Sequence, residues 1–253
     1  MTARRWGPPI VVIGAIVIAW EAYCRISGIS PIVLPAPSRI VEQLWAFRGD
    51  AVRHAIPTLA ETALGLAISI VVSAAAAVAM DRFEVVRRSL QPLLVASQTV
   101  PVVAIAPLLV LWFGFGLAPK ILIVVLVTFF PMTVALLDGF AVATLDATDL
   151  LRSFGAGRWL IFRKLRWPAA LPSFFTGLRI AATYGVIGAV FGEYVGAYEG
   201  LGIWMQLSQN AFRTDLVFAA ILLSGVLSVT LFGLVVGVER LVIPWYRASR
   251  AAR

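Results

Sequence analysis

The stretch from residue 146 to residue 172, DATDLLRSFGAGRWLIFRKLRWPAALP, decides how the chain is read. It is the longest polar interruption between two strongly apolar blocks. It carries Arg152, Arg158, Arg163, Lys164 and Arg166, and no acid after Asp149. A cationic loop between membrane-length segments belongs on the cytoplasmic side. The loop also has internal order. Asp146 is placed to cap a helix running to Phe154, with Asp149 in the first turn, where a carboxylate meets the positive end of the dipole. Gly155 and Gly157 then interrupt it, since glycine readily takes the positive φ of a helix end. A second helix is expected from Arg158 to Leu165, stopped by Pro168. Trp159, Phe162 and Leu165 recur every third residue against Arg163, Lys164 and Arg166. The spacing predicts two short helices joined at a glycine elbow, with an aromatic and cationic knob facing the cytoplasm. The competing reading is an interfacial hairpin that only anchors the chain to anionic lipid.

Composition sets the class. Of 253 residues, 60% are hydrophobic and 13% charged, and the mean hydropathy is +0.93. Soluble domains carry about 45–50% apolar and about 25% charged residues, so the excess points to a polytopic membrane protein. The net charge of +8 raises nucleic acid as a partner. The basic residues fall beside apolar blocks, however, and no long solvated domain presents a basic face, so no nucleic-acid partner is expected. Cys24 is the only cysteine, which excludes an intrachain disulfide and a cysteine-based zinc site.

Outward from the loop, the apolar blocks fall into six candidate spans. Ile10–Trp20, extended to Cys24, makes the first transmembrane helix; no small-residue cleavage site follows, so an uncleaved anchor is expected over a signal peptide. Residues 25–55 are mixed. Ser38 is placed to cap a short helix on which Ile40, Val41, Leu44, Trp45 and Phe47 form an apolar stripe, as in an amphipathic helix at the interface. His54, the sole histidine, reads as a surface or interface residue. Thr58–Met80 is the second block, with Gly65 and Ala74–Ala77 small enough for close helix approach in lipid; Glu61 is placed near its end. Pro92–Phe113 is the third, interrupted by Pro101 and Pro107, whose freed carbonyls need a neighbour or a wet cavity. Ile121–Leu137 is the fourth, with any kink at Pro131. Phe174–Phe191 is the fifth, containing Arg179, placed to snorkel or to pair with an acid. Leu216–Val238 is the sixth.

Lysine and arginine counts set the orientation. With the amino terminus inside, 14 of the 21 basic residues fall on the cytoplasmic side and 6 outside, Arg179 lying within a span. The bias predicts both termini cytoplasmic. Three regions follow: 1–55, a transmembrane helix plus interfacial helix; 56–245, a multi-span core containing the loop 146–172; and 246–253, a basic cytoplasmic tail.

No energy source is visible. The two lysines, Lys120 and Lys164, complete no G-x-x-x-x-G-K-[ST] loop, and no H-E-x-x-H or paired cysteines can hold a catalytic metal. No catalytic residue, metal or bound cofactor is expected, and the chain reads as no enzyme. Acids within the apolar blocks are few and sit near block ends, which weighs against an ion-driven secondary carrier.

The segment DLLRSFGAGRWLIFRKLRWPAALP resembles the cytoplasmic loop of binding-protein-dependent ABC transporter permeases. That motif has Glu-Ala-Ala, a glycine four residues after the second alanine, and an Ile-x-Leu-Pro ending. Asp149, Leu150 and Leu151 stand where Glu-Ala-Ala is usual, Gly155 is the glycine, and Leu165, Trp167 and Pro168 fill the ending. The runs PLLVASQTVPVVAIAPLLVLWFGFG, Phe129–Pro131 and GLRIAATYGVIGAVFGEYVGAYEGLG extend the likeness over roughly residues 55–245. They are similar to the nitrate, sulfonate and taurine permeases, and most of all to the subgroup importing the pyrimidine precursor of thiamine or riboflavin-like compounds.

The resemblance implies an all-α integral membrane protein of the type I importer (MetI-like) fold in the bacterial inner membrane. It implies a homodimeric pore in contact with lipid, a cytoplasmic ATPase dimer that uses the ATP, and an extracytoplasmic substrate-binding protein. It makes Asp149, Leu150, Leu151, Gly155, Arg158, Trp159, Leu165 and Pro168 the candidate ATPase-coupling residues. Gln98, Thr99, Tyr184 and Glu193 are candidate pathway residues, placed to stack on and hydrogen-bond a flat heterocycle; packing for Tyr184 and helix capping for Glu193 are the alternatives. An importer of sulfonate, nitrate or taurine-like anions, an ion-driven secondary carrier and a membrane scaffold without transport remain as competing functions.

Overall fold

The computed structural model describes residues 3–246, apart from 100 and 144. Five helices are long and apolar enough to cross a membrane, and a sixth span arises if one bent pair counts as a single crossing. In chain order the helices are α1 (Ala3–Ser27), α2 (Pro37–Ala46), α3 (Arg48–Arg82), α4 (Glu84–Thr99), α5 (Val102–Phe113), α6 (Leu117–Ala141), α7 (Leu145–Ser153), α8 (Arg158–Ile161), α9 (Trp167–Gly196), α10 (Leu201–Asn210) and α11 (Thr214–Val242). A π-helical turn, Phe162–Arg166, fuses α8 to α9.

The core is α3, α6 and α9, with α6 packed most extensively on α9. Small residues make that approach possible. A Cβ on Gly177 would sit 2.6 Å from the Ala135 methyl, and one on Gly139 would sit 2.8 Å from the Ala170 backbone. Gly65 faces the Val124 side chain in the same way. In lipid, where apolar burial gives little drive, helices associate through such close van der Waals packing and through interhelical polar contacts. Those polar contacts line α3: Thr58, Thr62, Ser69 and Ser73 are all fully buried, and the Ser73 hydroxyl donates to the Phe129 carbonyl on α6 at 3.1 Å.

Several sequence expectations change here. The second block does not begin near Thr58. α3 runs unbroken from Arg48 through Pro57, so the boundary expected at 55/56 falls inside a helix. The break in the third block comes at Pro101, where α4 and α5 meet at 99°; Pro107 stays within α5. Ser38 does not cap α2, whose N-cap is Ala36. Its hydroxyl and backbone N–H instead donate to Glu21 of α1, at 2.7 and 3.0 Å. Pro168 does not stop a helix either. It lies just after the π turn, in a helical run that continues from Arg158 to Gly196.

α1 is almost wholly exposed apart from its contacts with α2 and a ring contact of Trp20 with Phe218 of α11. α2 is tied to α11 through Arg39, whose guanidinium lies 3.3 Å from the Asp215 carboxylate.

Candidate functional site

Two polar constructions stand out, one at each end of the core. The first is the basic loop. α7 closes in a complete Schellman motif: the Ala156 N–H donates to Leu151 O at 3.0 Å and the Gly155 N–H to Arg152 O at 2.9 Å. Gly155 carries φ +78°, a conformation that costs an L side chain roughly 1–2 kcal/mol. A Cβ there would meet nothing within 4 Å. The elbow therefore depends on backbone freedom and not on space within the chain. Gly157 is the extended N-cap of α8. The Asp146 side chain, expected as the cap of α7, lies outside the described residues; α7 itself begins one residue earlier, at Leu145.

The loop is fastened to the bundle twice. Arg166 makes a fork to Asp81 at the end of α3, 2.7 Å to each carboxylate oxygen, and also donates to the Phe140 carbonyl at 3.4 Å. Phe162 packs between rings, 5.8 Å from Phe140, 6.0 Å from Trp167 and 5.9 Å from Trp159. Phe140 is itself buried on α6. Bidentate arginine–carboxylate pairs fix orientation as well as distance. The tip is thus held rigidly relative to α3 and α6.

What the tip presents is apolar. Phe154 is 79% exposed, Trp159 71% and Leu150 58%. Of the eight residues singled out for coupling, Asp149, Leu150, Gly155, Arg158 and Trp159 are exposed, and Leu151 is half-buried beneath them. Leu165 and Pro168 are placed elsewhere: half-buried in the π turn and the start of α9, at the root of the loop. Phe154 and Leu160 join the exposed set without having been singled out. Their signal in the sequence is their apolar type beside the glycine elbow.

The second construction is at the opposite end. Lys120 of α6 and Glu61 of α3 form a buried ion pair at 2.6 Å. Glu193, fully buried in the last turn of α9, accepts from Thr58 Oγ1 at 2.6 Å and from the Gly202 N–H of α10 at 2.8 Å. His54 Nδ1 accepts the Gly200 N–H at 3.1 Å and its ring stacks on Trp204, 5.9 Å away. Four helices therefore meet at one charged knot. Gly200 and Gly202 permit it: a Cβ on Gly202 would collide with the Val190 carbonyl, and one on Gly200 with the Glu193 carboxylate. Beside the knot a cavity of 390 Å³ is rimmed by Arg53, Phe115, Tyr198 and Glu199. Arg53 binds Glu199 at 2.8 Å and holds its carboxyl below the usual carboxylate range.

Glu61 is thus not a helix cap. It lies 13 residues into α3, about 20 Å from the helix start. Lys120, which falls just before the fourth apolar block of the sequence, lies within α6. The pair was hidden because the true start of α3 was hidden. Among the pathway candidates, Glu193 belongs to the knot and caps α10. Gln98 and Thr99 are exposed at the end of α4, just before the bend, and Tyr184 is exposed on α9 between Ile180 and Ile187. Arg179 pairs with Glu239 of α11 at 3.5 Å.

Comparison with known proteins now adds a decisive observation. Residues 67–244 match the family model described as the binding-protein-dependent transport system inner membrane component. The chain belongs to that family. It is therefore a multi-pass inner-membrane permease of the ABC importer type with a MetI-like fold, and not a catalytic enzyme. The chain is 39% identical over 231 residues to the formylaminopyrimidine transport permease protein of Halalkalibacterium halodurans, covering 91% of this chain and 92% of that one. It is 30% identical to the riboflavin transport system permease of Chloroflexus aurantiacus, covering 91% and 87%. It is also 30% identical to the taurine transport system permease of Escherichia coli, covering 92% and 88%. The permease model starts inside α3, so α1 and α2 precede the matched region.

Proposed function

We propose that this permease forms the pathway of an ATP-driven importer for a pyrimidine precursor of thiamine or a similar flat heterocycle. Two copies make the pore, with both termini cytoplasmic. The basic loop of each copy docks one cytoplasmic ATPase, which alone binds and uses ATP; an extracytoplasmic protein delivers the substrate. The observation that carries the coupling role is the loop's construction. An exposed apolar tip of Leu150, Phe154 and Trp159 is fixed to α3 and α6 by the Arg166–Asp81 fork. A tip that is apolar, exposed and rigidly rooted is suited to receive force from a partner and pass it to the spans. Closure of the ATPases draws the two loops together, and α3, α6 and α9 rock as a body between inward-open and outward-open states.

The heterocycle assignment is supported by the 39% identity to a formylaminopyrimidine permease over nearly the whole chain. The 30% identity to the taurine permease keeps a sulfonate-type anion as the second substrate reading. An ion-driven carrier gains nothing from the buried acids, because Glu61 and Glu193 are held by Lys120, Thr58 and the start of α10.

Co-purification tests the assembly. The full chain expressed with its neighbouring transport proteins is expected to retain an ATPase. Uptake driven by an ion gradient in vesicles lacking any ATPase would overturn it. Identification of the small molecule held by the delivery protein decides between heterocycle and sulfonate.

A further inference from the structure

A further cavity lies neither on the loop tip nor beside the charged knot. It lies behind the basic loop, between the loop and the ends of α3 and α6, with a volume of 690 Å³. Its polar wall holds four guanidinium groups, Arg82, Arg152, Arg158 and Arg166, against one carboxylate, Asp81. Two of the four are engaged: Arg166 by Asp81 and Arg152 by Asp149 at 3.1 Å. Arg82 lies only against the Phe83 ring, and Arg158 has no carboxylate partner among the described residues. Thr148, Trp159 and the apolar Val78, Ala143, Ile161 and Phe162 complete the wall. Val78 lies four residues before the end of the membrane-spanning α3, which places the apolar side of the cavity at that end of the span.

We propose that this cavity is a binding site for the headgroup of an anionic phospholipid. A phosphate oxyanion suits two unengaged guanidiniums, which recognise phosphate through paired N–H donors. The apolar wall suits the glycerol and the first carbons of the acyl chains. A basic pocket between spans at headgroup depth is where such lipids are held. A free phosphate ion shares the oxyanion chemistry but leaves the apolar wall unused. The bound lipid bridges α3 and the coupling loop beside the Arg166–Asp81 fork.

The test is native mass spectrometry of the full chain released from vesicles of mixed phosphatidylglycerol and phosphatidylcholine. The expected result is selective retention of phosphatidylglycerol, reduced about tenfold in the R82Q/R158Q double variant, each arginine near a membrane surface adding several-fold. The R163Q/K164Q double variant removes the same amount of charge from outside the cavity and is expected to retain the lipid. Ala143→Trp, which fills the apolar side without altering charge, is expected to lose it. Equal retention by R82Q/R158Q and R163Q/K164Q overturns the site. So does displacement of the lipid by inorganic phosphate as efficiently as by added phosphatidylglycerol. Loss of a co-purifying ATPase in R82Q/R158Q with lipid retention unchanged also overturns it, and assigns the arginines to the protein partner.

Discussion

At the scale of single residues, Gly155 and the Glu61–Lys120 pair make the sharpest statements. Gly155 needs positive φ and has open space around its Cα. Side chains that tolerate the left-handed region should therefore be accepted, and β-branched ones should not. Gly155→Asn is expected to keep substrate-stimulated ATPase activity near the parent level, whereas Gly155→Val loses it with membrane insertion intact. Equal loss in both would assign the glycine to direct contact with the partner. For the buried pair, removing one charge strands the other. Lys120→Met is expected to destabilise the chain by about 3–5 kcal/mol, and Lys120→Met with Glu61→Leu to recover much of that. Thermal unfolding in detergent reads both variants. Gly202→Ala belongs to the same knot. Its methyl collides with the Val190 carbonyl, so α10 is expected to shift, seen as faster proteolysis of the 197–213 segment.

At the scale of elements, the loop and α3 show what the sequence makes legible. The α7 elbow was readable because a Schellman end is local: glycine four residues after the Leu150–Leu151 pair and an apolar run behind it are sufficient. The start of α3 was not readable. Pro57 and the charged run from Arg48 to His54 look like loop, and only packing against α2, α10 and α11 shows them to be helix. Misplacing that start moved Glu61 from mid-helix to a block end and concealed its partner on α6. Pro168 misled in the opposite sense, since the helix runs on through the π turn that precedes it. The loop's attachment gives an element-level prediction. Asp81→Asn and Arg166→Gln each break the fork and are expected to uncouple ATPase activity from uptake. The double variant should be no worse than either single one. Additive losses would place the two residues in separate roles.

At the scale of the whole molecule, one copy of the chain leaves much apolar surface exposed. α11 has none of its most apolar 18-residue window buried, and Ile180, Tyr184 and Ile187 form an open stripe on α9. Lipid covers some of this. The proposed homodimer with its pathway along α9 covers the rest. A Tyr184→Cys variant in a Cys24→Ser background, with no other cysteine in the chain, tests this arrangement directly. A crosslink between two copies is expected for a pore lined by that stripe, and absence of any crosslink with the assembly intact would place Tyr184 toward lipid. α1 is tied to α2 by the Glu21–Ser38 contact and α2 to α11 by Arg39–Asp215, and both helices precede the matched family region.

The π turn between α8 and α9 has a consequence for how the loop is aimed. Such a turn holds one residue more than an α-helix needs over the same rise. Each residue of an α-helix turns the chain by about 100°, so the extra one sets the angular position of the loop around the axis of α9. Deleting a single residue within 162–166 would let the turn relax toward ordinary helix with every span intact. The tip would then point about a quarter-turn away from its present bearing. The direction in which this permease offers its tip to a partner is thus written as a residue count, independent of the chemistry of the tip itself.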